Sequence, residues 1–321
     1  MALLRLLASP RLMVAFFLLM AAASLAVVQG LLAPTPAALL PLGLLVVNLT
    51  ASILSNARFR ADLPLLVFHV ALLAFVALLA AARLTYFEGT AKLTVGEHFA
   101  GELRTEERGA LHGDGVRTLR FSNEGFTEVF PEKSMYRATH NRISFRDEAG
   151  AAHQAVIGDD RPLVIGGYRI YTTRNRGFAP VLQWLPDAGA IQFATVQLGQ
   201  IGEDGFSPGT QWKMAGGPAI WVTMSTEPTP YQPGTQRENL GAKEAPNKLV
   251  LRVNERFYDL RAGESAQLPG GRLTYAGLSA WMGYRIVYDP TKPWVIGAVA
   301  VAIASLVWFY ARRLWRTWDE D

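Results

Sequence analysis

The sequence predicts a membrane protein with four transmembrane α-helices, three near the N-terminus and one at the C-terminus, and an exported antiparallel β-rich domain between them. Only 18% of the 321 residues are charged, against about a quarter in an ordinary soluble domain. The apolar residues are concentrated in four runs that are long enough to cross a bilayer at about 1.5 Å per residue. The stretch between the third and fourth runs alternates apolar and polar residues as β-strands do.

The four apolar runs divide the chain into three parts. We expect an N-terminal membrane domain at residues 1–84, an exported β-rich domain at 85–291, and a C-terminal transmembrane helix with a short tail at 292–321. The predicted spans are residues 12–33, 37–55, 63–82 and 293–311.

A secretory signal peptide is an alternative interpretation of the first run. Arg5 and Arg11 precede this run, and a stretch of small residues, Ala21 to Ala23, lies within it. The run is longer than a signal core of about 7–15 residues, which favours a membrane span. Cleavage would leave the orientation of the other helices unchanged.

The basic residues predict the orientation of the four spans. They lie in three segments that fall on one side of the membrane, and the positive-inside rule makes that side, with both termini, cytoplasmic. Arg83, at the opposite end of the third span, is an exception that can extend to the lipid headgroups. The three basic segments contain Arg5 and Arg11, Arg58 and Arg60, and Arg312, Arg313 and Arg316.

The segment between the third and fourth spans predicts a β-sandwich or a related antiparallel module. Gly-Gly and Pro-Gly pairs separate its short apolar stretches. Residues 226–247 are polar and rich in Pro and Gly, which indicates an excursion loop. The candidate strands are Lys92–Val95, Leu119–Phe121, Tyr168–Tyr171, Phe193–Val196, Ile220–Thr223, Leu249–Val253 and Tyr284–Tyr288.

Composition and motifs exclude several classes of function. The surplus of four positive charges is too small to indicate nucleic-acid binding. The absence of cysteine excludes disulfides, Cys-based metal sites and thiol redox chemistry. The sequence contains no HExxH, P-loop, GxGxxG or GxSxG motif. The four histidines outside the spans match no metal motif and are predicted to be surface or strand residues: His98, His112, His140 and His153.

The fifth histidine, His69, is the candidate functional residue because it lies inside the third span. Ionisable residues within the membrane are rare and face partners or cavities. A neutral imidazole binds iron well, so His69 is either a haem or metal ligand or a residue hydrogen-bonded to a neighbouring helix.

Asn48 lies at about the same depth in the second span, and it shares a helix face with Ser52 and Ser55. We expect Asn48 to accept or relay the Nδ1 hydrogen of His69, which would leave Nε2 free for iron. The alternative is a face of small and polar residues that only packs helices together.

Four stretches of the chain resemble the ResB (CcsB-like) family of cytochrome c biogenesis proteins. The resemblance covers nearly the whole chain in architecture. The stretches are Leu44–Leu49, Phe68–Leu73, Tyr86–Glu97 and Tyr284–Pro290, the last of which is followed by the fourth span.

The resemblance implies a subunit of a cytochrome c maturation complex in the bacterial inner membrane, with its large domain on the periplasmic side. Such a subunit works with a polytopic CcsA/ResC-type membrane protein, carries haem b outward, and presents it for attachment to apocytochrome c. His69 would be one axial ligand of the haem iron, and a second histidine would have to come from the partner. The chain alone is expected to be non-catalytic.

Two departures from the family pattern matter. The exported domain is shorter than in many relatives, which suits a specialised paralogue. A cysteine that some relatives carry near the end of the second span is absent, with Ser52 or Ser55 in its neighbourhood.

Two other classes of function stay open. The chain could be a structural or assembly subunit of another membrane complex that keeps the fold without binding haem. A sensor is weaker, because the cytoplasmic segments are too short to carry an output domain.

Overall fold

The computed structural model describes most of the chain and confirms the predicted fold class. The described residues form six α-helices, of which four are long and apolar enough to cross a membrane: α2, α3, α5 and α6. The helices are α1 (Ala2–Leu7), α2 (Pro10–Val28), α3 (Pro34–Ser55), α4 (Ala57–Ala61), α5 (Leu63–Thr85) and α6 (Lys292–Trp318). The described residues are 2–130, 138–147, 149–158, 160–200, 209–214, 216–226, 234–243 and 247–318.

Proline marks the first turn of α2, α3 and α5, at Pro10, Pro34 and Pro64. Proline suits this position because its missing N–H would have no partner there and its φ is already helical. The helix α2 ends at Val28, whereas the predicted span extended to residue 33. Gly30, with φ +72°, turns the chain away, and apolar composition alone does not reveal such a turn.

The chain divides into two compact units. The membrane unit consists of residues 1–87, 107–113 and 288–321, and the β unit of residues 88–106 and 114–287.

Within the membrane unit, α5 packs against both α3 and α6. An ion pair joins the start of α5 to the end of α6, with Arg312 Nη1 3.8 Å from Asp62 Oδ1. The two helices are therefore antiparallel.

Residues 107–113 close the C-terminal end of α5. The backbone N–H of Gly109 donates to the Tyr86 oxygen and that of Leu111 to the Leu84 oxygen, both at 2.8 Å. His112 Nδ1 lies 3.1 Å from the Thr85 oxygen. These bonds satisfy carbonyl groups that a helix end leaves without partners. Arg83, whose position opposed the charge rule, has Nη1 3.7 Å from Glu107 Oε1.

The β unit contains three sheets, and neighbouring strands in each sheet pair in the antiparallel direction. The first sheet has the order β2-β1-β15-β7-β6, with β14 beside β15 and β8 beside β7; the second is β13-β12-β10-β9, and the third is β11-β3-β4-β5. The strands are β1 (Phe87–Thr94), β2 (Thr105–Arg108), β3 (Phe121–Val129), β4 (Ala138–Arg146), β5 (Ala152–Ile157), β6 (Leu163–Ile165), β7 (Tyr168–Pro186), β8 (Gln192–Thr195), β9 (Thr210–Lys213), β10 (Ala219–Thr226), β11 (Gln236–Glu238), β12 (Asn247–Val253), β13 (Arg256–Leu260), β14 (Ser265–Leu268) and β15 (Gly271–Tyr288).

A buried polar network links the first and third sheets. Asn141 on β4 donates from Nδ2 to Asn123 Oδ1 at 2.8 Å and to the Gly125 oxygen at 2.9 Å. Its Oδ1 accepts the hydroxyl of Tyr284 on β15 at 2.8 Å. Burial raises the pKa of Tyr284, so this hydroxyl stays a donor. A fully satisfied network of this kind fixes how two sheets meet.

Two sequence interpretations change at the strand level. Leu119–Phe121 was predicted as a strand, but a 3-10 turn occupies Gly115–Thr118 and β3 begins only at Phe121. In the predicted excursion loop 226–247, residues 227–233 and 244–246 lie outside the described residues. The described part contains β11, which pairs with β3.

Candidate functional site

His69 lies on α5, six residues after its first residue, and its side chain is half-buried. Its Nδ1 is 2.7 Å from the backbone oxygen of Leu65, one turn earlier. A carbonyl oxygen only accepts hydrogen bonds, so Nδ1 carries a hydrogen, and in the neutral ring Nε2 is then the nitrogen with the lone pair. An imidazole in this tautomer can bind a metal ion through Nε2.

Two aromatic side chains hold the imidazole ring. Phe59 stacks on it, with the ring centroids 3.9 Å apart and the planes at 24°. Phe68 meets it edge-on at 5.3 Å. Phe59 comes from the short helix α4, which begins where the side chain of Asn56 accepts the backbone N–H of Arg58 at 3.0 Å. Because Nε2 lies in the ring plane, stacking on one face leaves Nε2 uncovered by Phe59.

The predicted bond between Asn48 and His69 is wrong. The Nδ1 hydrogen goes instead to the backbone oxygen of Leu65 on the same helix. Asn48 Nδ2 instead donates to the backbone oxygens of Leu7 and Ser9. Asn48 therefore satisfies carbonyl groups at the corner between α1 and α2.

His69 and Asn48 nevertheless line one cavity of about 530 Å³ at the end of the membrane unit that holds the α1–α2 corner and α4. Its volume lies within the range of about 300–1,000 Å³ that is usual for ligand sites. Arg5 contributes a guanidinium to the wall, and Ser52 contributes a hydroxyl. Sequence reasoning did not assign Arg5 or Phe59 to a site, because Arg5 served only to predict orientation and Phe59 depends on the turn at α4.

A larger cavity of about 750 Å³ lies along α5 and α6, but its chemistry differs. It is lined by alkyl side chains and by Trp294. None of these side chains ligates iron, so the cavity that contains His69 is the candidate functional site.

The other histidines lie apart from this cavity. His112 stacks on Phe87 with centroids 4.8 Å apart, and His153 Nε2 is 2.7 Å from Asp147 Oδ2. His98 bonds to the hydroxyl of Ser122. Within the described ranges, no three His, Asp or Glu side chains are grouped to hold a metal ion.

Comparison with known protein families places most of the chain in one family. The sequence model of the ResB-like family matches residues 61–320 of this chain, which include α5, the β unit and α6. No curated protein matches the chain.

Proposed function

Because the chain belongs to the ResB-like family, which is linked to cytochrome c biogenesis, we propose that it is the haem-delivery subunit of a cytochrome c maturation complex. In this proposal it carries haem b across the bacterial inner membrane and presents it for attachment to apocytochrome c. Haem is thus cargo, which the chain holds with a partner and releases.

The observation that carries the proposal is the state of His69. Its Nδ1 hydrogen is engaged by Leu65, so Nε2 is the nitrogen available to iron, and the ring is held by Phe59. The cavity wall also contains Arg5, whose guanidinium suits a haem propionate. His69 would thus supply one axial ligand of the haem iron, and Arg5 would pair with a propionate carboxylate.

The second axial ligand is proposed to come from a polytopic CcsA/ResC-type membrane protein. His69 is the one histidine within the predicted spans, so this chain offers a single imidazole at that depth. The site is complete only when the partner is present.

The proposed orientation places the cavity on the cytoplasmic side. Arg5 and Asn56 line the cavity, and Arg312 pairs with Asp62 beside the start of α5. Basic residues from two of the three basic segments, Arg5 and Arg312, therefore lie at one end of the helices, which supports a cytoplasmic position under the positive-inside rule. The β unit is then periplasmic, where it braces the partner and positions the apocytochrome.

Co-purification of the full chain with its CcsA/ResC-type partner tests the ligand role. We expect a Soret band that His69→Gly strongly reduces and that added imidazole restores, because free imidazole can replace the missing ring. His140→Gly is the matched control, since His140 lies exposed on β4. An unchanged band in His69→Gly would refute the ligand role.

The contribution of Asn48 is tested separately. Asn48→Leu removes its bonds to Leu7 and Ser9, whereas Ser52→Ala removes only the weaker bond at 3.4 Å to Ala8 and one bond within α3. Weaker haem binding in Asn48→Leu alone would support an indirect role. Normal haem binding in Asn48→Leu would leave Asn48 as a packing residue.

A structural or assembly subunit that binds no haem is the second candidate function. One observation favours it. The ring of His69 already has a hydrogen-bond partner in Leu65 and a stacking partner in Phe59, so it can be half-buried without binding a ligand. A neighbouring reading frame that encodes a protein with the tryptophan-rich WWD haem motif would favour haem delivery, and its absence would favour the structural role.

A further inference from the structure

A cavity of about 470 Å³ in the β unit lies beside the start of β3 and the end of β4. Its wall combines the basic side chains of Arg120, Arg146 and His98 with the rings of Phe99 and Phe121. The two rings are buried and stacked, with centroids 5.0 Å apart. No carboxylate belongs to this wall among the described residues. The cavity therefore has a positively charged rim and an aromatic floor.

The two arginines face each other, Arg120 directly before β3 and Arg146 at the end of β4. The backbone N–H of Arg146 donates to the oxygen of Arg120 at 3.3 Å, and the next pair inward is Phe121 opposite Phe145. Like charges directly opposite each other destabilise a sheet. A bound anion would reduce this repulsion.

Both guanidinium groups are held in place by the backbone. Arg120 Nη1 donates to the oxygens of Arg117 at 2.7 Å and Leu119 at 2.8 Å. Arg146 Nη1 donates to the oxygen of Gly150 at 2.9 Å. A guanidinium has more N–H donors than these bonds use, so each keeps donors for a ligand while its position is fixed.

Three described carboxylates near these residues have hydrogen-bond partners of their own, while Glu148 lies outside the described residues. Glu124 Oε1 accepts the hydroxyl of Ser144 at 2.6 Å, and Asp147 pairs with His153 at 2.7 Å. Glu97 accepts the backbone N–H of Thr94 at 2.7 Å. The hydrogen bonds of the Arg120 and Arg146 side chains, within the described ranges, go to backbone oxygens.

We propose that this cavity binds a small organic carboxylate that carries an aromatic or apolar body. The carboxylate bonds to the guanidinium groups of Arg120 and Arg146, for which a planar fork of donors is suited. The apolar body lies against Phe99 and Phe121. The hydroxyl of Ser122, which is fixed by its bond to His98, adds a polar contact at the wall. This site goes beyond the haem function and shares no residue with the cavity at His69.

Ligand-observed fluorine NMR on the full chain in detergent micelles tests the proposal. The probe is 4-fluorobenzoate, and empty micelles give the baseline. We expect the fluorine resonance of 4-fluorobenzoate to broaden, whereas that of the neutral 4-fluorobenzyl alcohol should stay sharp. Inorganic phosphate should displace 4-fluorobenzoate only weakly. Equal binding of the alcohol would refute the role of charge, and equal displacement by phosphate would refute the role of the aromatic floor.

Variants assign the binding to the arginines. Arg120→Gln and Arg146→Gln should each weaken binding about tenfold, since each loses a bond to an ionised group. Arg272→Gln, an exposed arginine on β15, is the matched control. Arg146→Gln should melt at the same temperature as the wild type or higher, because it removes the facing charge. Where loss of binding comes with a lower melting temperature, the double variant Arg120→Glu with Arg146→Glu decides, because it reverses the charge of the whole wall. It should lose 4-fluorobenzoate and gain 4-fluorobenzylamine, and failure to gain the amine would overturn the proposal.

Discussion

Gly109 is the residue at which a single methyl group should detach residues 107–113 from the end of α5. A Cβ at this position would lie 2.2 Å from the Leu84 oxygen and 2.4 Å from the Arg83 oxygen, where ordinary contacts are 3.4–4 Å. Both obstacles are backbone atoms at a helix end, so they cannot rotate away as a flexible side chain would. The segment has to move by about 1 Å to relieve the overlap.

A shift of this size breaks the two bonds at 2.8 Å that Gly109 and Leu111 make to α5. Each backbone hydrogen bond contributes about 0.5–1.5 kcal/mol net, so loss of both bonds in Gly109→Ala should lower the free energy of unfolding by about 1–3 kcal/mol. Gly113→Ala is the matched control, because Gly113 lies in the same segment and a Cβ there would meet no atom within 4 Å.

Limited proteolysis with trypsin measures the release of the segment, since Arg108 directly precedes Gly109. We expect faster cleavage after Arg108 in Gly109→Ala than in the wild type or in Gly113→Ala, together with a lower melting temperature. Equal cleavage and equal melting of the two variants would show that the segment is not held against α5 as described.

Two further predictions concern charges in the β unit. Glu128 and Arg176 form an ion pair with side chains only 1% and 5% exposed. Glu128→Gln should lower the free energy of urea unfolding by about 3–5 kcal/mol, because it leaves the Arg176 charge buried without its partner, while the double variant Glu128→Leu with Arg176→Met should recover most of that loss. A double variant no more stable than Glu128→Gln would contradict this reasoning. The pKa of the Asp147 carboxyl is lowered, mainly by the hydrogen bond from His153 and next by a backbone N–H bond from Ala151. The ionised carboxyl therefore stabilises the fold at pH values above its ordinary pKa, and this stabilisation is lost as the pH falls through the lowered pKa. His153→Ala should therefore flatten the loss of stability in that acidic window, as measured by unfolding at a series of pH values, and an unchanged pH profile would exclude the pair as its cause.

The membrane spans could be predicted because their signal is long and local. Some eighteen or more apolar residues have few alternatives to a bilayer-crossing helix. The largest differences are at two C-terminal ends: α2 stops before Gly30, which turns the chain, and α6 continues past residue 311 to Trp318. The β unit was harder to predict. The strand β13 was missed although it follows β12 closely through Asn254, whose φ is +54°, because a two-residue turn of this kind has no distinctive composition here.

The candidate site was predicted only in part. His69 was identifiable as the one ionisable residue within its span, and its placement in a cavity followed from that rarity. The partner of its Nδ1 was not identifiable, because equal depth in two helices does not determine which groups face each other. Phe59 and Arg5 come to the cavity through the turn at α4 and the α1–α2 corner, and neither turn follows from the periodicity of the spans.

The membrane unit is assembled from segments far apart in the chain, and this affects the order of biosynthesis. The helix α5 leaves the ribosome about two hundred residues before α6, the helix that packs along it and pairs with it at Asp62. During that interval its α6-facing surface has only lipid or a chaperone to cover it. A chain whose synthesis stops between β15 and α6 would therefore have all its β-strands but would lack α6. The uncovered face of α5 would give membrane quality control a means of recognising such unfinished chains.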